Sequence, residues 1–253
     1  MFYGYGLLSN HTPTLKSTVF RNNSTSNNST LNTGLYAYYK AESNANDALS
    51  GFNGTAIGGV TYTAGKSGDA FTCNGTSGYV DLGNNIFNSF TSDFSVSAWI
   101  NLNTVSGDQA IISSLSYSPG FGLANGWWLL TSSDTISFRI YRSDSGGQNT
   151  ILSTATVLST STWYNIVVTR KAGTRTRIYV NGTEVASNSS TMNPTYTLGG
   201  TSESAIPSSI GTWKYTSTLK NDYLNGKIDE LGVWNKELTA SEVTELQTKF
   251  QPF

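Results

Sequence analysis

The stretch that decides the fold is Trp163-Tyr-Asn-Ile-Val-Val-Thr-Arg170, followed by Arg175-Thr-Arg-Ile-Tyr-Val180, then Asn181-Gly182, then Thr183-Glu-Val-Ala186. Its first run is almost continuously apolar and rich in β-branched residues, as a strand covered on both faces must be. The next two runs alternate apolar with polar residues. Asn-Gly between them supplies the two positive-φ positions of a type I′ turn. The stretch therefore predicts a central strand followed by a tight hairpin.

The same two-residue period extends outward. In Phe94-Ser-Val-Ser-Ala-Trp-Ile100 the residues Phe94, Val96, Ala98 and Ile100 share one face. In residues 135–141 it is Ile136, Phe138 and Ile140 that turn inward. Further strands are expected near 36–40, 60–62, 69–73, 78–82, 110–114, 126–130, 150–153, 196–198 and 227–234. No long helical period separates them, so the expected fold is all-β, a sandwich of two antiparallel sheets. One short helix closes the chain. Thr239 and Glu242 form a capping box, Leu238 and Val243 a hydrophobic staple, and Val243, Leu246 and Phe250 an apolar face.

Composition agrees with many short strands joined by polar turns. Only 12% of the 253 residues are charged, and 25 are glycine against five prolines. The net charge is −1 with no basic block, which excludes an electrostatic footprint for nucleic acid. No run approaches about 18 consecutive apolar residues, so no segment is expected to span a membrane as a helix. The opening residues lack the charge and apolar length of a signal peptide. Cys73 is the only cysteine and His11 the only histidine. A disulfide within the chain is thereby excluded, and a histidine-based metal cluster or catalytic triad would hang on one residue near the start.

Residues 1–33 differ from the rest. The run at 22–30 is Asn-Asn-Ser-Thr-Ser-Asn-Asn-Ser-Thr, which can bury almost nothing. We read 1–33 as an extended N-terminal arm and 34–253 as the domain. Phe2, Tyr3, Tyr5, Leu7 and Leu8 precede the polar run and form a candidate anchor. Such an arm either packs on its own domain or docks into a neighbouring subunit.

Five blocks in register carry a family resemblance. They are Gly65-Lys-Ser-Gly-Asp-Ala-Phe71 with Gly78-Tyr-Val-Asp-Leu82, then the run from Asp93 to Ile100, Trp163 to Arg170, Ile178-Tyr-Val-Asn-Gly182, and Gly226-Lys-Ile-Asp-Glu-Leu-Gly-Val-Trp234 with Leu238 to Val243. Over about residues 34–247 the chain resembles laminin-G-like domains of the concanavalin A-like lectin/glucanase type. The resemblance implies a jelly-roll sandwich, but no single function, because this fold serves many. Related hydrolases carry Glu-x-Asp-x-Glu on one strand, and no such run exists here; Asp229 and Glu230 are adjacent and expected on opposite faces. An enzyme is therefore not expected. The resemblance also implies a structural calcium ion, for which Asp47 and Asp229 are the candidate ligands. Trp127 or Trp128, Trp213 and Tyr215 are candidate stacking platforms for a glycan, whereas Trp99, Trp163 and Trp234 are assigned to the core.

Two functional expectations follow. The first is a non-enzymatic virion structural protein, such as a phage capsid decoration or head-fibre component, held to its capsid partner by the arm and displayed on the virion surface. The alternative is a carbohydrate-binding or adhesion module, outside the cell or on its surface, whose partners are cell-surface glycans.

Overall fold

The structure, a computed structural model, describes residues 30–84, 87, 92–118, 122–142, 148–155, 157–189, 204–205, 207–214 and 220–249. The anchor residues Phe2, Tyr3, Tyr5, Leu7 and Leu8 lie outside the described residues, as do His11, Tyr215 and Phe250 and the strand expected at 196–198.

The apolar and aromatic run Leu-Tyr-Ala-Tyr-Tyr forms β1 (Leu35–Tyr39). Two short strands and two longer ones follow: β2 (Thr55–Ile57), β3 (Thr61–Ala64), β4 (Asp69–Asn74) and β5 (Tyr79–Asn84). The middle of the chain supplies the long strands β6 (Phe94–Leu102), β7 (Asp108–Ser118), β8 (Gly122–Ser132), β9 (Thr135–Arg142) and β10 (Gln148–Ser153). Next come β11 (Trp163–Lys171), β12 (Arg175–Val180) and β13 (Thr183–Asn188), the central strand and hairpin expected from Trp163 to Ala186. Four short strands, β14 (Ser204–Ala205), β15 (Pro207–Ile210), β16 (Trp213–Lys214) and β17 (Lys220–Asn221), lead to β18 (Asn225–Trp234) and the helix α1 (Ala240–Lys249).

These strands build two antiparallel sheets. The first runs β13-β12-β11-β6-β18-β4-β3, with β1 also paired to β18. The second runs β10-β9-β8-β7-β15-β5-β2, with β14 paired to β7. β11 is central, between β12 and β6, as its continuous apolar run requires. Asn181 and Gly182 adopt φ of 50° and 78°, the two positive values a type I′ turn demands.

The core lies between the sheets. Phe94 crosses from the first sheet to meet Trp127 and Phe138 of the second, with ring centroids 5.2 and 6.1 Å away. Val96, Ala98, Ile100, Ile166, Val168 and Ile178 complete that side and are fully buried. A second cluster forms where α1 packs on the outer face of the first sheet. Leu238, Val243 and Leu246 cover Val167, Tyr179 and Trp234. The capping box closes as its sequence implies: Thr239 N–H donates to Glu242 Oε2 at 2.9 Å, and Glu242 N–H to Thr239 Oγ1 at 3.3 Å. Leu31, at the end of the arm, joins this cluster, and Trp234 Nε1 donates to its carbonyl at 2.7 Å. Trp99 and Trp234 are buried as assigned, but Trp163, at the first position of β11, is only half-buried. No helix among the described residues is long and apolar enough to cross a membrane.

Candidate functional site

At one end of the sandwich three turns converge on an open groove of about 350 Å3. Gly75 enters it from the turn after β4, Thr104 and Ser106 from the β6–β7 loop, Asp108 and Gln109 from the start of β7, and Asn221, Asp222, Tyr223 and Asn225 from the β17–β18 connection. Each turn is tied to the next by backbone bonds. Asn103 N–H donates to the Asn225 carbonyl at 2.9 Å, Ala110 N–H to the Asp222 carbonyl at 2.8 Å, and Gly75 N–H to the Leu224 carbonyl at 3.0 Å. Leu224 is fully buried beneath the groove and pins the connection to the core.

The side chains are held as firmly. The buried Gln109 donates through Nε2 to the Thr104 carbonyl at 2.8 Å and accepts Asn225 N–H at 2.8 Å, so one carboxamide links two rims. Ser132 Oγ donates to Asp108 Oδ1 at 2.6 Å, and Arg139 pairs with Asp108 Oδ2 at 3.1 Å. Asp222 sits in the left-handed region at φ 54°, a conformation Asp tolerates better than most residues. Its carboxyl is pushed above the usual range by burial and then by the charge of Asp108, against the opposing pull of Arg139 and Trp213. The ring of half-buried Tyr223 lies 6.3 Å from that of Tyr79. Gly75, at φ 75°, has no room for a side chain, because a Cβ would lie 2.8 Å from Asn225 Cβ. Two carboxylates, three carboxamides, two hydroxyls and one aromatic ring thus face a small open space. That set accepts from and donates to vicinal hydroxyls and offers one apolar face.

The expected glycan platforms are placed differently. Trp127 is 1% exposed and packs in the core against Phe94, Phe87 and Phe138. Trp128 faces outward from the second sheet, as its neighbour's inward position requires, yet it is only 5% exposed. It stacks on Trp213 with centroids 5.3 Å apart and planes at 16°, and Trp213 is itself 7% exposed. β16, which follows β15 after Gly211 and Thr212, packs over this face, so the two indoles cover each other and present no platform. Tyr215 lies outside the described residues.

The calcium expectation meets a similar obstacle. Asp47 is buried, and its Oδ1 accepts Tyr38 N–H at 2.8 Å and Leu49 N–H at 3.1 Å. Its Oδ2 accepts Gly51 N–H at 3.0 Å and Phe52 N–H at 3.1 Å. Asp229, also buried, accepts Lys66 and Ser67 N–H on Oδ2 at 2.7 and 3.0 Å and Glu230 N–H on Oδ1 at 2.8 Å. A cation at either carboxylate would meet amide hydrogens in place of lone pairs, so these residues do not fit the ion. No group of three or more His, Cys, Asp or Glu arranged for a metal occurs among the described residues. Burial, partly offset by the Ser67, Lys66 and Glu230 bonds, pushes the Asp229 carboxyl up to about 6. The regular alternation expected to separate Asp229 from Glu230 is interrupted in β18. A bulge between Asp229 and Gly232, with Glu230 at φ 49°, leaves both buried.

A family model described as the concanavalin A-like lectin/glucanases superfamily matches residues 74–244. The chain belongs to the concanavalin A-like lectin/glucanase superfamily. No curated protein matches the chain. Among solved structures, this superfamily member is similar to the binding domain of botulinum neurotoxin serotype C1, with a TM-score of 0.63 and 19% identity over 87% of this chain and 53% of that one. The binding domain of botulinum neurotoxin DC in complex with SialylT gives a TM-score of 0.61 at 17% identity, over 87% of this chain and 52% of that one. Domain 4 of AbnA, an extracellular GH43 arabinanase from Geobacillus stearothermophilus, in complex with arabinotriose, gives 0.57 at 21%, over 85% of this chain and 98% of that one. The chain spans about half the length of the neurotoxin domains. At these identities the likeness is one of fold.

None of the groove residues was singled out in the sequence. They come from three separate turns, and no spacing links them. Asn74-Gly75 has the chemistry of a turn, but nothing in the sequence says that this turn meets the start of β18.

Proposed function

We propose that this chain is a non-catalytic carbohydrate-binding module that takes a glycan end in the groove lined by Asp108, Asp222, Tyr223 and Asn225, and that it works outside the cell or at its surface. The observation that carries this reading is the lining itself: rigidly held carboxylates and carboxamides around one aromatic ring, in a space that suits one or two sugar rings. The bound sugars named for the SialylT and arabinotriose complexes of the same fold support it. The virion reading hangs on an arm whose anchor residues lie outside the described residues, so the described geometry favours the glycan reading. A glycan array probed with the full chain and with Tyr223→Ala tests it. Binding by the parent that the variant loses supports the groove. A blank array for the parent, or equal binding by Tyr223→Ala, removes it.

A further inference from the structure

We infer that the groove selects glycans without negative charge and rejects termini bearing a carboxylate or sulfate. This inference rests on the glycan-binding reading and narrows its ligand class. Two carboxylates face the groove, and Arg139 forms an ion pair with only one of them, Asp108, at 3.1 Å; its pull on Asp222 is outweighed by burial and by the charge of Asp108. No ion pair among the described residues neutralises Asp222. The remaining lining groups, Gly75, Thr104, Ser106, Gln109, Asn221, Tyr223 and Asn225, carry no positive charge.

Arg139 is moreover already paired, and it is not among the residues that line the groove. Its guanidinium is tied to Asp108, which is itself fixed by Ser132 Oγ at 2.6 Å. Turning Arg139 toward an incoming carboxylate would strip Asp108 of its partner and leave two uncompensated carboxylates side by side. The burial and mutual repulsion already acting on Asp222 show how little further negative charge the site can absorb. Neutral hydroxyls meet no such penalty, because Asp222 accepts from them and Asn221 and Asn225 donate to them. An amino sugar gains an added attraction to Asp222.

The discrimination follows from Coulomb's law. One negative charge placed within a sugar ring's width of Asp222, at an effective dielectric between those of a protein surface and of water, loses on the order of tenfold in affinity. The penalty shrinks as salt rises, since the groove is open.

The test uses a galactose-terminated N-glycan, its sialylated form, and arabinotriose as a neutral probe of another type, titrated calorimetrically into the full chain and into Asp222→Asn. Asn tolerates the left-handed backbone at this position, so the variant keeps the turn. The expected result is binding of at least one neutral probe, a sialylated form weaker by about tenfold than its neutral parent, and a gap that narrows to about threefold in Asp222→Asn. Equal or tighter binding of the sialylated form overturns the inference and leaves the groove reading standing. An unchanged gap in Asp222→Asn also overturns it. If neither neutral nor sialylated probes bind, and a full array is blank as well, the glycan reading itself has failed.

Discussion

Replacing Asp47 with Ala is expected to destabilise the fold by about 4 kcal/mol, a large loss for one side chain. The figure follows from four donors. Tyr38 N–H is buried beside β18, and leaving it without its 2.8 Å partner costs about 1–3 kcal/mol. The Leu49, Gly51 and Phe52 amides are partly exposed, so water replaces some of what they lose, at about 0.5–1.5 kcal/mol each. The sum is roughly 2.5–7.5 kcal/mol, and about 4 kcal/mol, in the lower half of that range because water reaches three of the amides, still stands among the severe single substitutions. For a chain of this length the midpoint temperature should fall by about 8–16 °C. Asp47→Asn keeps one acceptor oxygen and should fall about half as far. Scanning calorimetry reads both variants, with and without EDTA. A fall of less than about 3 °C in Asp47→Ala would refute the accounting, because it would mean the 47–52 loop does not depend on this carboxylate. A large EDTA-induced fall in the parent would refute the structural argument against calcium.

Other consequences can be checked independently. Burial holds Asp229 near 6 in the folded chain, against about 3.9 unfolded, so the fold binds the extra proton. Its contribution is therefore fully present below about pH 4 and is lost as pH rises through 6. Carboxyl NMR should find Asp229 titrating near 6, and a value below 4 would show that the three amide bonds outweigh burial. Cys73 is 1% exposed and its thiol is pushed up to about 12 by burial. It should ignore a thiol reagent at pH 8 in the native chain and react once in denaturant; rapid native labelling would place it at the surface. Trp128→Ala should cost about 3 kcal/mol in urea denaturation through loss of its stack on Trp213, whereas a cost under about 1 kcal/mol would mean the indole is exposed after all.

Much of the sandwich was legible because its signals are local and one-sided. The β11 run, the Asn181-Gly182 turn and the Thr239–Glu242 box each need only a few adjacent residues, and burial of one face enforces their register. The errors arose where a second layer intervened. Period two correctly places Trp128 on the outer face of its sheet, but outward means exposed only when nothing packs there. Trp213 of β16 does pack there, and it is far away in sequence. The same limit applies to Asp229 and Glu230. Alternation holds on a regular strand, but a bulge interrupts it here, and Gly232, the one residue that could mark a bulge, reads equally as a close approach, which it also makes to the Trp234 ring.

The groove was invisible for a related reason, and that reason explains its rigidity. β6 belongs to the first sheet and β7 to the second, so the 103–107 loop is a crossing between layers. β18 lies beside β6, and its entry turn therefore falls against that crossing, where Asn225 meets Asn103 and Gln109. The site exists because two strands distant in sequence are neighbours in space, and its walls inherit the stability of both sheets. A ligand entering such a groove meets donors and acceptors already fixed, and does not have to order them at its own cost. Under the proposed reading, affinity there depends on few contacts and on charge, so Asp222, a carboxylate without an ion-pair partner among the described residues, would set which sugars are admitted.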